Sequence, residues 1–380
     1  MNIPFIDLTS QQQKIRSKID TRIKNVLEHG KYIMGPEIEE LESVLSKRID
    51  AKYVISCGSG TDALLLALMG LQLKPGQGVI VPSFTFTASA EVMPLLGAIP
   101  IFAEVDEETF TLNPARLQDA LDSAIKSAIE VVGIMSVGLF GQPAQMDKIN
   151  SFAEANGLWV LDDAAQSFGT EFQGAKTGTL AKATCTSFFP AKPLGCYGDG
   201  GALFTNDFEI AEIARSCRVH GQGTNKYQTV RLGMTARLDT IQAAILLAKL
   251  DVFDKELQQR NAVANYYHEL LRSWVETPIC YPEMTSSWAV YTIKLPKIVD
   301  RVFFQDSLSQ KGIPTAIYYP IPMHLQKPYE HYPRANYGLE VSENLAQSVI
   351  SIPMHPYLTQ EAQNTISEAI IEVIKNSNKR

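Results

Sequence analysis

The chain is short of cysteine, of positive charge and of long apolar runs. Its five cysteines, Cys57, Cys185, Cys196, Cys217 and Cys280, are scattered over 380 residues. Their number is odd and no Cys-x-x-Cys pair occurs. This argues against a disulfide framework or a zinc site and fits a reducing, cytoplasmic setting. Lys and Arg total 34 against 41 Asp and Glu, a net charge of −7. A nucleic-acid footprint needs a basic surface, so no nucleic-acid partner is expected. An anionic small ligand is not excluded, because a few local cations suffice to hold one. The longest apolar run, "VVGIMSVGLFG", is glycine-broken and too short for a membrane span. It reads as a buried strand. The opening "MNIPFIDLTSQQQ" has neither the basic start nor the apolar core of a signal peptide. Histidines are few and lack metal-ligand spacing, so no metal is expected.

What the chain does have is apolar mass: 45% of residues are hydrophobic, enough for sizeable cores. Short β-branched runs alternate with helical stretches through the first two-thirds. Strands are predicted at 53–57, 78–83, 99–105, 130–137, 158–163, 184–189 and 202–205. Between several of them lie helical patterns such as "TDALLLALMGL" and "MDKINSFAEANG". Apolar strands separated by helices predict an α/β fold with a mostly parallel sheet covered on both faces. After residue 238 the texture changes. Two long helices, or one with a bend, precede a strand at 288–295 and a terminal helix. In that helix Ile366, Ala369, Ile370, Val373 and Ile374 share a face. The expected division is a large domain over 1–250, including an N-terminal helix, and a small α+β domain over 251–380.

Four segments follow predicted strands, at the sheet edge where ligands bind in open α/β folds. The first is "SCGSGTDALLLAL", in which two glycines turn the chain into a helix near Thr61. The free N–H groups of such a helix start form an anion cradle around Gly60 and Thr61. Neither a Walker A loop nor a G-x-G-x-x-G fingerprint is present. A well-capped helix without a ligand would read the same way. The second is "LDDAAQSFG", with Asp162 and Asp163 closing a strand. Neighbouring aspartates in a strand point to opposite faces, so they cannot flank one glycosidic bond. A desolvated carboxylate there wants a cation or an N–H, and a plain capping aspartate is the alternative. The third is "SFTFTASAE". Phe84 and Phe86 share a face if the strand continues, either to cover a flat ring or to fill the core. The fourth is "SFFPAKPLGCYGDGGALFT", with Ser187 and Lys192. Pro190 and Pro193 stiffen the chain on both sides of the lysine. Alone, Lys192 reads equally as a solvated loop residue.

Together the four supply an anion cradle, a carboxylate, a flat apolar cover and a fixed lysine. Pyridoxal 5′-phosphate (PLP) needs all four. At these residues the chain resembles the DegT/StrS family of nucleotide-sugar aminotransferases, on the PLP-dependent transferase scaffold of fold type I. The resemblance runs from "KYIMGPEIEELE" through "GSGTDALLLAL", "DDAAQSFG" and the lysine segment to "RLDTIQAAIL", "YYPIPMHLQKPY" and "SIPMHPYLT". It implies that Lys192 forms the Schiff base, that Asp163 faces the pyridine nitrogen and that Gln166 lies near the ring hydroxyl. It further implies that Phe86 stacks on the ring and that Gly60, Thr61 and Ser187 contact the phosphate. Lysine at 192, where a dehydratase branch has histidine, resembles the aminotransferase branch. The family's shared sites imply a homodimer. The partner loop's "G-x-N-x-R" motif reads "GMTAR" here, with Thr235 where asparagine is usual and Arg237 matching.

The implied reaction passes an amine from L-glutamate to a keto sugar carried on a nucleotide, with Lys192 moving the proton. The run "FFPAKPLGCYGDGGA" most resembles enzymes acting on UDP-2-acetamido-2-deoxy-3-keto-glucuronate in O-antigen lipopolysaccharide synthesis. Arg237, Arg231 and Lys226 are candidate partners for substrate anions, although a solvated basic loop explains Lys226 and Arg231 as well. Tyr318, Tyr319 and His324 are candidate contacts to sugar or glutamate, and packing at a domain seam is the other use for the tyrosines. Three alternatives stand beside this reading: a transaminase of dTDP-3-keto-6-deoxyhexoses, another PLP enzyme such as a cysteine desulfurase or decarboxylase, and a non-catalytic PLP-binding regulator.

Overall fold

The structure, a computed structural model, describes residues 3–225 and 227–377. Seven strands build the main sheet: β1 (Tyr53–Cys57), β2 (Gly78–Pro82), β3 (Ile99–Ala103), β4 (Val131–Val137), β5 (Trp159–Asp163), β8 (Ala183–Ser187) and β9 (Gly201–Thr205). Two short strands, β6 (Glu171–Phe172) and β7 (Ala175–Lys176), pair with each other outside it. The sheet order is β1-β9-β8-β5-β4-β2-β3. All pairs are parallel except those of β9, which runs antiparallel to both β8 and β1. Six strands therefore end at the same edge of the sheet.

Helices α1 (Leu8–His29), α2 (Pro36–Ile49), α3 (Gly60–Gly70), α4 (Ala88–Leu95), α5 (Leu117–Lys126), α6 (Met146–Ala155) and α7 (Phe208–Cys217) belong to this part of the chain. The strands carry apolar side chains on both faces, as buried parallel strands do. Ile55, Cys57 and Leu203 join the core shared with α3 to α7. Their neighbours Val54, Ala202 and Phe204 point the other way, into a core with α2 and the start of α8 (Thr240–Leu271). The period of two along β1 and β9 thus separates two cores across one sheet.

Helix α8 is one continuous helix of 32 residues, where two helices or a bend were expected. Leu246, Leu247, Leu250 and Phe253 pack under the main sheet. Val263, Ala264, Tyr267 and Leu271, further along, pack in the C-terminal core. The expected boundary near 250 falls inside this helix. Beyond it come β10 (Tyr291–Lys294), α9 (Arg301–Gln310), α10 (Glu340–Ser348), β11 (Val349–Ile352) and α11 (Gln360–Ser377). β10 and β11 pair antiparallel. The strand expected over 288–295 is shorter because Trp288 has φ 46°, outside extended geometry. The five apolar residues read on the face of α11 are all buried. The N-terminal segment crosses to this part: Ile3 enters its core, and Phe5 accepts from the Met354 N–H at 3.1 Å. Among the described residues no helix is long and apolar enough to cross a membrane.

Candidate active site

The first wall of the site is where β1 gives way to α3. Ser59 is the N-cap, its hydroxyl accepting from the Asp62 N–H at 2.9 Å. The cap therefore lies two residues before Thr61, and Ser-x-x-Asp is the sequence signature that marks it. The backbone is crowded here. A Cβ on Gly60 would lie 2.7 Å from Ser187 Cβ, and one on Gly201 would lie 2.3 Å from the Ser59 carbonyl oxygen. Only glycines let the ends of β1, β8 and β9 close into one surface. That surface presents the unpaired N–H groups of the first turn of α3, with the positive end of its dipole.

The second wall is the end of β5. Asp162 and Asp163 point to opposite faces, as expected. Asp162 is buried in the core, where it accepts from Ser136 Oγ at 2.6 Å. Burial pushes its carboxyl up to about 7 against the lowering effect of that bond. Asp163 faces the cavity. Its oxygens accept from Ser89 Oγ at 2.8 Å and from the Ala165 N–H at 3.1 Å. Burial raises its pKa, while these two bonds and the nearby Lys192 amine lower it. A turn later, Gln166 Oε1 accepts from the Phe140 N–H at 2.8 Å. Its amide oxygen is thereby occupied, so Nε2 is the group left to donate. Tyr319 Oη takes one such bond at 3.3 Å.

The third wall is the loop after β8. It folds back on itself through the Lys192 N–H to the Phe189 carbonyl at 2.9 Å and the Cys196 N–H to the Phe188 carbonyl at 2.8 Å. Lys192 is therefore presented from a closed turn. Burial lowers the pKa of its amine, opposed by the Asp163 carboxylate. A neutral amine is the form that attacks a carbonyl or accepts a proton.

These walls enclose a cavity of about 490 Å³. Nine of the expected site residues, Gly60, Thr61, Phe86, Asp163, Gln166, Ser187, Lys192, Tyr318 and Tyr319, line it. Phe84 and Phe86 do not share a face: β2 stops at Pro82, leaving Phe84 in the core and Phe86 half exposed to the cavity. Phe86 and Tyr319 are 6.0 Å apart between ring centroids. His324 is not in the wall. It is buried at a seam, with Nδ1 2.5 Å from Ser83 Oγ and Nε2 3.1 Å from Glu343 Oε1. The bond from the Met323 N–H to the Ser83 carbonyl turns the imidazole inward, into packing. Thr235 and Arg237 also lie outside this chain's cavity. Thr235 Oγ1 is 2.7 Å from His220 Nε2, and the buried Arg237 Nε has no partner among the described residues. Arg231 is exposed, and Lys226 lies outside the described residues.

Sequence reasoning missed Ser89, Thr85, Ile6 and Phe189. Ser89 orients Asp163, Thr85 Oγ1 lies 3.1 Å from Ser89 Oγ, and Ile6 and Phe189 line the cavity. Nothing local marks Ser89 or Ile6, because both act on partners distant in sequence.

The walls fit PLP. A buried carboxylate facing the cavity suits a protonated ring nitrogen. A glycine surface that any Cβ would fill suits a phosphate against a helix N-terminus. A lysine amine and an exposed phenyl ring open on the same cavity. The profile of the DegT/DnrJ/EryC1/StrS aminotransferase family matches residues 13–371. A Pseudomonas aeruginosa protein named UDP-2-acetamido-2-deoxy-3-oxo-D-glucuronate aminotransferase is 44% identical, covering 97% of this chain and 99% of its own. A Geobacillus stearothermophilus "pleiotropic regulatory protein" is 37% identical over 99% of this chain and 100% of its own. A Streptomyces venezuelae dTDP-3-amino-3,4,6-trideoxy-alpha-D-glucose transaminase is 33% identical over 97% and 96%. Among solved structures, a DegT/DnrJ/EryC1/StrS aminotransferase from Brucella abortus superposes with a TM-score of 0.94 at 43% identity, covering 97% of this chain and 98% of its own. The Bacillus subtilis protein NtdA with bound cofactor PMP gives 0.85 at 29% identity, over 98% and 83%. Strand order, cavity and kinship agree: this chain belongs to the DegT/DnrJ/EryC1/StrS aminotransferase family and is a PLP-dependent transaminase of fold type I.

Proposed function

We propose that the chain moves an amino group from L-glutamate to the keto group of a nucleotide-linked sugar. Our acceptor is UDP-2-acetamido-2-deoxy-3-oxo-glucuronate, in the cytoplasm and in service of O-antigen or a related polysaccharide. One observation carries the reading. A lysine amine, a buried carboxylate and a helix N-terminus share one cavity, in a chain 44% identical to an aminotransferase named for that acceptor.

In this reading Lys192 bears the cofactor, Asp163 faces its ring nitrogen and Gln166 Nε2 donates to its ring oxygen. Gly60, Thr61 and Ser187 hold the phosphate, and Phe86 covers the ring. When bound, PLP supplies an electron sink for the carbon that loses its proton. The Lys192 amine, whose neutral form burial favours, accepts that proton and returns it. Tyr318 and Tyr319, which line the same cavity, contact the substrate. Thr235 and Arg237 serve the cavity of a second subunit in a homodimer. In support, both lie outside their own chain's cavity, on a segment that exposes 91% of Leu232.

The test is optical. Cofactor-loaded protein should absorb in the violet, bleach with L-glutamate and regain colour with a keto nucleotide sugar. The UDP-3-oxo-uronate should restore colour roughly tenfold or more faster than a dTDP-3-keto-6-deoxyhexose. The reverse order would favour the dTDP reading, which the Streptomyces relative supports. Colour that no amino acid bleaches would favour a regulator, as the Geobacillus relative is named. Lys192→Ala should remove the borohydride-fixable cofactor attachment while the protein stays folded.

A further inference from the structure

A second lysine lies behind the first. Lys249, on α8, is only 1% exposed. Its Nζ donates to the Gly195 carbonyl at 2.5 Å and sits 4.3 Å from the centroid of the Tyr197 ring. Both partners belong to the loop that carries Lys192. Gly195 is tightly packed within that loop, since a Cβ there would lie 2.6 Å from the carbonyl oxygens of Phe189 and Pro190.

Lys249 is the middle of a polar stripe. Gln242, Lys249 and Glu256 stand seven residues apart on α8, about two turns, and so share one face. Gln242 Oε1 accepts from the Tyr197 N–H at 2.8 Å, and its Nε2 donates back to the Tyr197 carbonyl at 3.3 Å. Glu256 accepts from Gln11 Nε2 at 2.8 Å and borders a small cavity shared with Pro190, Lys192 and Pro193. The stripe follows the lysine loop from its far end to the turn under Lys192.

Packing alone does not account for an ammonium here. Leucine or methionine would fill the space without desolvating a charge. Burial pulls Lys249 down to about 8, while Cys196 and Glu256 pull it up. Tyr197 of the loop also faces it, and Arg16 of α1 acts on that phenol.

We propose that Lys249 is a positioning residue for transamination: by holding the Gly195 carbonyl from α8, it sets where the loop delivers the Lys192 amine. This rests on Lys192 being the cofactor-bearing lysine, which borohydride fixation and peptide mapping of the unaltered enzyme check separately.

The test uses holoenzyme carrying Lys249→Met. Its melting temperature should equal or exceed that of the unaltered enzyme, and it should bind a full complement of cofactor. Its kcat should fall by about tenfold or more, with KM for the amino donor within about twofold, because a displacement of roughly 1 Å misaligns proton transfer. The pH at which the lysine-linked chromophore changes colour should also shift. Lys249→Gln, which keeps a donor, should recover part of kcat. Wild-type kcat with an unshifted colour titration in Lys249→Met overturns the proposal. So does a loss of kcat that merely tracks lost fold or lost cofactor. Should Lys249→Met fail to fold, Lys249→Gln decides: a shifted titration with reduced kcat supports the proposal, and wild-type values overturn it.

Discussion

The hydroxyl of Ser89 donates to the carboxylate of Asp163 at 2.8 Å, across 74 residues of chain. One lies in the first turn of α4, the other at the last position of β5. This bond lowers the pKa of a carboxyl that burial raises. Ser89→Ala should therefore raise it further and, with Asp163 in the role proposed for it, weaken its hold on a protonated cofactor ring. A lost bond to a charged group is worth about 1.5–3 kcal/mol, so cofactor affinity should fall roughly tenfold or more. Equilibrium dialysis of cofactor checks this, and retention should fail at a higher pH than in the unaltered protein.

Asp163→Asn keeps the shape and removes the charge. We expect kcat to drop by about a hundredfold or more, because under the proposed function the ring nitrogen loses its anionic partner. In cofactor-free protein the sign is opposite. The native pKa of Asp163 is raised above 3.8, so the native state binds more protons than the unfolded one as pH climbs from 3.8 through the raised value. Stability falls over that window. The apo variant should then melt at the same or a higher temperature at pH 7, read by calorimetry.

Lys249 gives a second pH window. Its native pKa of about 8 lies below the ordinary 10.5. Between these values the unfolded chain holds the proton and the native chain does not, so stability rises with pH. Below pH 8 both states are charged and the full cost of burial is present. The advantage in melting temperature of Lys249→Met should be a few degrees near pH 7 and shrink toward zero by pH 10.5.

Gly60→Ala places a Cβ 2.7 Å from Ser187 Cβ. The clash lies between the start of α3 and the end of β8, where backbone as well as side chain would have to move. A stability loss of about 1–3 kcal/mol is expected, together with weakened phosphate binding, measured as inorganic phosphate competing with cofactor.

His324→Asn separates packing from recognition. Because His324 is buried between Ser83 and Glu343, outside the cavity wall, we expect a lower melting temperature. The KM for the keto sugar should stay within about twofold. A tenfold rise in KM at unchanged stability would restore His324 as a substrate contact.

Much of the fold was legible because strands buried on both faces leave unbroken apolar runs. The main-sheet strands fall within a residue or two of where those runs predict them. A shared face for Phe84 and Phe86 required the strand to continue; alternation holds only while a strand lasts, and β2 ends before them. The continuous α8 was misread for another reason. Two cores use its two halves, so its apolar face changes along its length, and a local pattern resembles a break.

Sequence alone settled the chemical inventory: a lysine between two prolines, an aspartate closing a strand, a glycine-flanked helix start and an acidic, cysteine-poor chain. These are local facts, because propensity, capping and backbone restriction act within a few residues. Only the tertiary structure decided which groups meet. Parallel strands carry residues distant in sequence to one edge, where Ser89 reaches Asp163, Lys249 holds Gly195 and His324 turns away from the cavity. Such contacts arise from packing between elements, whose short-range forces leave no mark in the order of neighbouring residues.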